Sequence, residues 1–474
     1  MISYAQFLET KAIKPNPVGI TDNIVLPKAL RPFQADIVRW ALTQGRSAIF
    51  AGTGLGKSLM QLAWADAMQK HTGRPTLILT PLAVSHQTVR EATKFKIKSV
   101  AYAADQESAE TDIVVTNIDR VEKFDMGEFG AIVIDESSIL KATDSKTRAL
   151  LTELCAGIPY KLCCTATPAP NDFVELGSHS EFLGVLNAKE MLATWFVHDG
   201  SGKATNGANH GSKPIAEWRL KGHAERDFWR WVSTWAVMIR HPRDIGYDEP
   251  GYDLPPLIKH QITVPVAYEN AVASGMLFAL EARTLQEQRA AARASIADRV
   301  KAVADLVNAQ TDRQWLIWCQ LNDEADALVK AIPDAVEVRG TDDPDVKTER
   351  LLGFADKKFR VMVTKSKIAG MGMNYQSCHS QAFVGLNNSF EQVYQAIRRC
   401  WRFGQTKPVD VYMVAAETEG AVVANLEAKE KAAEYMGDQL ASHMADLTKR
   451  ALKQSETRKM TAHSANMELP QWLM

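Results

Sequence analysis

The chain lacks features that define several large classes of protein. It has six cysteines, none of them in a Cys-x-x-Cys pair, which argues against a zinc knuckle or a disulfide framework and favours a reducing cytoplasm. No segment is long and apolar enough to cross a membrane, and residues 1–20 contain no apolar run like that of a signal peptide. We therefore expect a cytoplasmic protein without a membrane partner.

The chain also has no marked excess of positive or negative side chains. The 55 Lys and Arg residues nearly balance the 56 Asp and Glu residues, which gives a formal net charge of −1. Because a nucleic-acid-binding protein normally carries a basic patch, any such patch must be local here. This balance argues against a protein that coats nucleic acid, but it is compatible with a narrow binding track.

The pattern of apolar runs predicts two α/β domains with parallel sheets, which suits a length of 474 residues. Short apolar runs alternate with helical patterns in both halves, as expected for parallel sheets covered by helices. The predicted strands are 47–50, 76–80, 112–116, 131–134, 161–165, 314–318, 336–338, 360–363, 381–384 and 409–414.

The alternation stops between the two halves and after the second. We predict a first domain at 1–255, with a Trp-rich helical insertion at about 176–255 whose first part, 200–211, is rich in glycine. Residues 256–417 are expected to form a linker helix and a second domain, and 418–474 a helical tail. Five tryptophans of the insertion either form its own core, which we favour, or stack on nucleic-acid bases: Trp195, Trp218, Trp229, Trp231 and Trp235.

A glycine-rich loop follows the first predicted strand and precedes a helical pattern. It reads Ala51-Gly52-Thr53-Gly54-Leu55-Gly56-Lys57-Ser58. Glycines let backbone N–H groups approach phosphate oxygens, and a helix N-terminus favours negative charge. Lys57 is expected to reach the β- and γ-phosphates and Ser58 to bind Mg²⁺. The loop therefore predicts a nucleoside triphosphate site.

Two carboxylates end the fourth predicted strand, about eighty residues after this loop. Asp135 is placed to hold Mg²⁺ through water, and Glu136 to orient and deprotonate an attacking water. An acidic turn after a strand is weak evidence alone, but after a phosphate-binding loop it indicates hydrolysis.

These motifs, taken in order, resemble those of the superfamily 2 helicases and translocases, and more closely the Swi/Snf-type branch. The segment 30–34, Leu-Arg-Pro-Phe-Gln, resembles the adenine-binding motif, which places Gln34 at the base. The phosphate loop of the superfamily often begins with alanine, as this one does at Ala51. The resemblance implies two RecA-like domains and the use of ATP and Mg²⁺. It implies that residues at the phosphate loop bind the nucleotide, namely Gly52, Thr53, Gly54, Leu55, Gly56, Lys57 and Ser58.

The second half extends the resemblance through residues 395–409, Gln-Ala-Ile-Arg-Arg-Cys-Trp-Arg-Phe-Gly-Gln-Thr-Lys-Pro-Val. By resemblance, Arg399 and Arg402 are arginine fingers, since a guanidinium can bind the charge of a phosphoryl transition state. If this segment is helical, both lie on one face. The resemblance also implies nucleic-acid contacts or coupling roles for Thr80, Thr116, Thr165, Thr167, Gly370, Gly372, Asn374 and Gln395.

The box that begins at Asp135 departs from the family. Ser137 and Ser138 replace the usual Ala-His or Ala-Asp. A serine hydroxyl can donate a hydrogen bond but cannot carry charge, so the coupling contact of the fourth residue must differ here.

Three functions fit this sequence. The first is an ATP-driven DNA helicase or translocase that contacts mainly the phosphate backbone. The second is an RNA-remodelling helicase, and the third is a nucleotide-gated nucleic-acid-binding module that does not move. The compact size suits a bacterial or phage factor by analogy, and a monomer is compatible with it.

Overall fold

Two parallel sheets organise the computed structural model of this chain. The structure describes residues 17–21, 24–141, 145–169, 172–199, 217–265, 285–369, 373–386 and 389–456. Within these ranges, no helix has the length and apolar character needed to cross a membrane.

The first sheet has seven strands, all paired in parallel, in the order β3-β4-β2-β5-β6-β1-β9. Its strands are β1 Arg46–Ala51, β2 Thr76–Thr80, β3 Val100–Tyr102, β4 Ile113–Asn117, β5 Ala131–Asp135, β6 Tyr160–Thr165 and β9 Ala236–Ile239. Alternate residues of β1 enter the cores on opposite faces, Phe50 on one and Ile49 on the other. Burial of both faces explains why these strands read as continuous apolar runs.

Helices cover this sheet and build the insertion that follows it. They are α1 Pro32–Gln44, α2 Lys57–Thr72, α3 Leu82–Lys94, α4 Lys146–Leu154, α5 Leu176–Leu183, α6 Ala188–Trp195 and α7 Glu225–Trp235. An antiparallel ribbon, β7 Phe196–Asp199 and β8 Glu217–Leu220, lies beside them. The glycine-rich stretch 200–211 lies outside the described residues.

The second sheet has six strands, also paired in parallel, in the order β10-β15-β14-β11-β13-β12. Its strands are β10 Leu257–Val264, β11 Trp315–Cys319, β12 Ala335–Val338, β13 Val361–Lys365, β14 Ser380–Val384 and β15 Val409–Ala416. The helices of this half are α8 Leu285–Ala294, α9 Ile296–Asn308, α10 Asn322–Ala331, α11 Pro344–Ala355, α12 Ser366–Ala369, α13 Phe390–Ile397 and α14 Gly420–Glu456.

The predicted α/β architecture is confirmed, but the alternation does not stop where the sequence suggested. Strand β9 lies inside the segment interpreted as an insertion and pairs with β1 at the edge of the first sheet. It begins directly after α7, with no glycine or proline between them. Because no turn signal precedes β9, the sequence did not distinguish this strand from the aromatic run before it.

The tryptophans of the insertion mostly form a core, as favoured from the sequence. Trp195, Trp229, Trp231 and Trp235 are buried, and Trp218 packs against the same cluster while partly exposed. The rings of Trp195 and Trp231 stack with centroids 4.6 Å apart. Four of these side chains are therefore not available to stack on bases.

Helix α14 spans both halves of the molecule. Its 37 residues give a length of about 55 Å at the usual rise per residue. Val422 and Leu426 pack into the core of the second sheet, whereas Leu440 and Met444 pack into that of the first. The helix therefore joins the two cores in addition to the chain between β9 and β10.

We expect Leu440→Ala to lower the free energy of unfolding by about 2–5 kcal/mol, because it leaves a cavity in the first core. Leu440 is 1% exposed, whereas Tyr435 on the same helix is 64% exposed. The control variant Tyr435→Ala should change the free energy of unfolding by no more than about 0.5 kcal/mol. Urea unfolding followed by circular dichroism measures both, and equal midpoints would contradict the packing of α14 on the first domain.

Candidate active site

A cleft of about 390 Å³ lies between the two sheets and is lined from both sides. Several of its first-domain residues, such as Lys57 and Asp135, lie at or just after the carboxyl ends of β1 and β5, where parallel sheets place ligands. Others come from α1 and α3. The predicted residues that line it are Gln34, Thr53, Gly54, Gly56, Lys57, Ser58, Asp135, Glu136, Asn374, Arg399 and Arg402. The structure thus brings together most of the predicted hydrolytic groups.

The glycine-rich loop turns sharply between β1 and α2. Gly54 and Gly56 have φ angles of +91° and +82°, a region in which side chains with a Cβ are strained. Lys57 donates a hydrogen bond from Nζ to the Ala51 carbonyl at 2.9 Å. Burial lowers the pKa of Lys57, while Glu136 and Asp135 oppose that shift. The loop therefore places an ammonium group beside a helix N-terminus, as phosphate binding requires.

Asp135 is fixed at the end of β5 by two hydrogen bonds to its Oδ1. Gln61 Nε2 donates one at 2.7 Å and the Glu136 backbone N–H the other at 3.1 Å. Burial, reinforced by the neighbouring Glu136, raises the pKa of Asp135 to about 6. Gln61 was not singled out by the sequence, because a glutamine in a helix carries no motif signal of its own.

Glu136 adopts a left-handed conformation with φ +50°, which is uncommon outside glycine and concentrates at functional sites. Its Oε2 is buried and has no hydrogen-bond partner among the described residues. A carboxylate oxygen in that state can accept a proton or a hydrogen bond from a water in the cleft.

The donors available for Mg²⁺ are oxygen atoms, which this ion prefers. Ser58 and Asp135 line the same cleft. Among the described residues, no group of three or more His, Cys, Asp or Glu side chains is placed to hold a metal. Mg²⁺ would therefore need phosphate oxygens and waters besides these side chains, which fits the ion bound with a nucleotide.

The two predicted finger residues reach the cleft from the second domain. Arg399 is 3% exposed and donates from Nε to the Gln395 carbonyl at 3.1 Å and from Nη2 to Gln395 Oε1 at 2.8 Å. Arg402 donates from Nη1 to the Met373 carbonyl at 3.3 Å. Burial lowers the pKa of both groups, that of Arg402 to about 10.

Arg399 and Arg402 do not share a helix face, although a shared face was expected if their segment were helical. Helix α13 ends at Ile397, and residues 398–404 form turns. The arginines converge on the cleft through those turns.

Among the described residues, those predicted to contact nucleic acid are not gathered on an exposed face. Thr80, Thr116 and Thr165 are fully buried; the Thr80 hydroxyl bonds to Ser85 Oγ at 2.8 Å, and Thr165 Oγ1 accepts from the Thr167 N–H at 3.1 Å. Asn374 lines the cleft, while Gln395 is buried against Arg399. Gly370 and Gly372 lie outside the described residues.

The serine pair after Glu136 makes two different contacts. Ser138 Oγ lies 3.5 Å from the Glu136 carbonyl, at the limit for a hydrogen bond. Ser137 Oγ lies 3.1 Å from Nε2 of His179, which is fully buried and meets the Phe50 ring edge-on. Burial lowers the pKa of His179 to about 4. A single histidine 42 residues away gave no sequence signal for this contact.

Comparison with known proteins identifies two consecutive domains. Residues 33–226 match the SNF2-related domain and residues 298–404 the helicase conserved C-terminal domain. The TATA-binding protein-associated factor MOT1 of Saccharomyces cerevisiae is 22% identical over 513 residues, covering 82% of this chain and 26% of that protein. Protein p41 of Acyrthosiphon pisum secondary endosymbiont phage 1 is 27% identical over 177 residues, covering 32% of this chain and 38% of p41. The chain thus spans well under half the length of these relatives.

Among solved structures, the Sulfolobus solfataricus SWI2/SNF2 ATPase core in complex with dsDNA is similar at 18% sequence identity. The match covers 93% of this chain and 98% of that one, with a TM-score of 0.39.

The buried His179 predicts a specific loss of stability in acid. An unfolded histidine titrates near 6.5, so below that pH the unfolded chain gains a proton that the native His179, with its pKa of about 4, excludes. The contribution of His179 to the free energy of unfolding is fully present above about pH 6.5 and is lost as the pH falls towards 4. At pH 5 the loss amounts to about 2 kcal/mol.

Urea unfolding at pH 7.5 and pH 5 tests this expectation with His179→Gln, which keeps a neutral polar side chain. The variant should lose less stability between the two pH values than the unchanged protein. The matched control is His223→Gln, at an exposed histidine, which should retain the full difference. If His179→Gln also retains the full difference in stability between the two pH values, another group is responsible for that difference.

Proposed function

Given that the chain belongs to the Swi/Snf-type branch of superfamily 2, a family of nucleic-acid-dependent ATPases, we propose that it hydrolyses ATP in the cleft between its domains and thereby moves along DNA. One observation carries the proposal. Arg399 and Arg402 of the second domain line the same cleft as Lys57 and Glu136 of the first. Hydrolysis that needs all four groups depends on closure of the domains.

The first domain binds the nucleotide in this proposal. Gln34 contacts the adenine, backbone N–H groups of residues 52–58 and Lys57 bind the phosphates, and Ser58 and Asp135 hold Mg²⁺. The ion, when bound, neutralises phosphate charge and orients the γ-phosphoryl group. Gln61 keeps one Asp135 oxygen occupied, which leaves the other free for the ion's water shell.

Glu136 accepts the proton of the attacking water through its unpartnered Oε2. The water oxygen forms a bond to the γ-phosphorus as the bond to the β-phosphate oxygen breaks, so that ADP and phosphate leave. Arg399 and Arg402 stabilise the charge that spreads over the γ-phosphoryl oxygens. Arg399 directs two of its five N–H donors to Gln395, so Gln395 orients this finger while other donors remain for phosphate oxygens.

DNA is the proposed track because the Swi/Snf-type relatives that the chain resembles often translocate on duplex without unwinding it. The formal net charge of −1 requires a local track that contacts phosphates, so we expect little sequence preference. An RNA-remodelling helicase and a nucleotide-gated binding module share the same cleft and differ in their response to polymers.

Three substitutions test the hydrolytic assignments: Lys57→Ala, Glu136→Gln and Arg399→Ala. Each should lower kcat at least about 100-fold, because each removes a group that acts on the transferring phosphoryl. Glu136→Gln and Arg399→Ala should still bind nucleotide, whereas Lys57→Ala should bind it weakly. Arg230→Ala, at an arginine of α7 whose side chain is 59% exposed, is the control. Near-normal turnover in any of the three variants would show that the substituted residue is not needed for hydrolysis.

The identity of the polymer is tested by ATPase rates with duplex DNA, single-stranded DNA and RNA. We expect duplex DNA to stimulate turnover by about tenfold or more and to support displacement of a third strand from a triplex. Strand separation of a forked duplex is the companion measurement and distinguishes unwinding from duplex translocation. Stimulation by RNA alone would establish the RNA alternative, and no stimulation by any polymer would favour the gated module.

A further inference from the structure

A second space between the domains adjoins the nucleotide cleft. This adjoining chamber is a cavity of about 110 Å³, and its first-domain walls include residues 52–55 of the phosphate loop and residues 166–169 after β6. From the second domain, Phe390, Tyr394 and Arg398 face it. None of the side chains assigned above to metal binding, proton transfer or the arginine fingers lines the chamber, so the mechanism does not yet use it.

The wall between the chamber and the cleft is formed in part by Thr53 and Gly54. Both residues line both spaces, and their loop continues to Lys57, which is expected to reach the β- and γ-phosphates. The second domain closes this wall, since a Cβ on Gly54 would lie only 2.8 Å from the Phe403 backbone nitrogen. Movement of Phe403 away from Gly54 would therefore open a passage from the phosphates into the chamber.

Two threonine hydroxyls in the chamber walls have no partner. Thr53 Oγ1 and Thr167 Oγ1 are buried, and neither forms a hydrogen bond with any described residue. A buried hydroxyl that makes no hydrogen bond costs free energy. The volume of about 110 Å³ is also well above the roughly 10–15 Å³ that a single water needs. The chamber thus has both the space and the unused hydrogen-bonding groups for a polar occupant.

Arg398 brings a positive charge to the same chamber. Its guanidinium carbon lies 4.3 Å from the Trp401 ring centroid and 5.0 Å from that of Tyr394, within the range of a cation–π contact. Within the described part of the chain, its side chain has neither an ion pair nor a hydrogen bond. Because a guanidinium presents five donors in a planar fork that matches phosphate oxygens, the two rings hold a charge that remains available to an oxyanion.

The other side of the chamber leads away from the cleft. A further cavity of about 380 Å³ shares Tyr394, Arg398 and Glu434 with it. Glu434, on α14, is exposed, and its negative charge opposes tight retention of an anion at this end. The two cavities together indicate a path towards the surface along which a small anion binds only weakly.

We propose that the adjoining chamber binds inorganic phosphate, with Arg398 and Thr167 as its ligands, and that the phosphate produced by hydrolysis leaves the cleft through it. This inference rests on the proposed function and deepens it. When Phe403 withdraws from Gly54 after cleavage, phosphate enters the chamber while the phosphate loop still holds ADP. The threonine hydroxyl donates a hydrogen bond to a phosphate oxygen, and the guanidinium offsets part of the anion's charge.

Phosphate binding to the nucleotide-loaded chain tests the site directly. The cleft is filled with the magnesium complex of a non-hydrolysable ATP analogue, whose γ-phosphoryl group occupies the reacting position. Inorganic phosphate is then titrated and followed by the broadening of its ³¹P resonance. We expect phosphate to bind the full chain, and Arg398→Gln and Thr167→Val each to lower its affinity about tenfold, as for loss of a charge-assisted hydrogen bond.

Two further variants serve as controls for the binding measurement. Arg398→Lys keeps the positive charge but not the planar fork, so its affinity for phosphate should lie between those of Arg398→Gln and the unchanged protein. Arg230→Gln removes an arginine of α7 whose side chain is 59% exposed, and it should bind phosphate like the unchanged protein. Circular dichroism on each variant verifies folding.

The timing of product release tests the role of the chamber as an exit. In a single turnover of ATP, cleavage is measured by acid quench and release by a fluorescent phosphate sensor. In Arg398→Gln the lag between cleavage and release should lengthen at least about threefold, because the leaving anion loses its guanidinium partner, while the cleavage rate should change by less than about twofold.

Three outcomes would overturn the proposal. Absence of phosphate binding to the analogue-loaded chain would mean that the chamber holds only water. Equal affinity in Arg398→Gln and the unchanged protein would place the phosphate elsewhere. A parallel loss of cleavage and release would mean that Arg398 acts on its neighbour Arg399 and not on the leaving anion. If the chain binds phosphate through Arg398 but does not cleave ATP, the proposed function and the exit role fail, whereas the phosphate site stands.

Discussion

The cleft between the domains holds charged groups of both signs in partly or largely buried positions. Lys57, Asp135, Glu136 and Arg399 all lie within it, and burial shifts the pKa of three of them towards the neutral form. Desolvated charges cost free energy unless opposite charges and hydrogen bonds compensate them. A triphosphate with its metal ion would supply both signs of charge at once. In the proposed mechanism, electrostatics would therefore link closure of the domains to binding of the ligand.

The parallel sheets make this confinement possible. Loops at the carboxyl ends of β1 and β5 meet at one edge of the first sheet, and turns after α13 bring arginines from the second domain to the same place. Helix α14 packs into both cores and so restricts how far the domains can separate. Short, irregular connections at the cleft can rearrange while the buried strands that carry them stay fixed.

The sequence predicts ten of the thirteen strands described in the two parallel sheets, and the glycine-rich loop, because those signals are local; β3, β9 and β10 were not predicted. Buried parallel strands read as apolar runs on both faces, and the loop needs glycine where φ is positive, at Gly54 and Gly56. The family resemblance points to Arg399 and Arg402, although not to the turns that present them.

Contacts between distant segments were not predictable in this way. Strand β9 lacks a turn signal, His179 reaches Ser137 only through tertiary packing, and Tyr252 meets Phe403 across the two domains. Each of these contacts depends on how whole elements pack. No single segment carries the information, so a pattern read along the chain does not contain it.

The segment after Glu136, in which Ser137 and Ser138 depart from the family pattern, contacts the second domain through another residue. Ser138 offers only a weak contact to the Glu136 carbonyl, but Lys141, three residues further on, forms an ion pair with Glu391 of the second domain. Glu391 lies in the first turn of α13, where a negative charge interacts favourably with the helix dipole. That helix leads directly into the turns that carry Arg399 and Arg402. An ion pair between the two domains thus connects the segment after Glu136 with the helix that precedes Arg399 and Arg402.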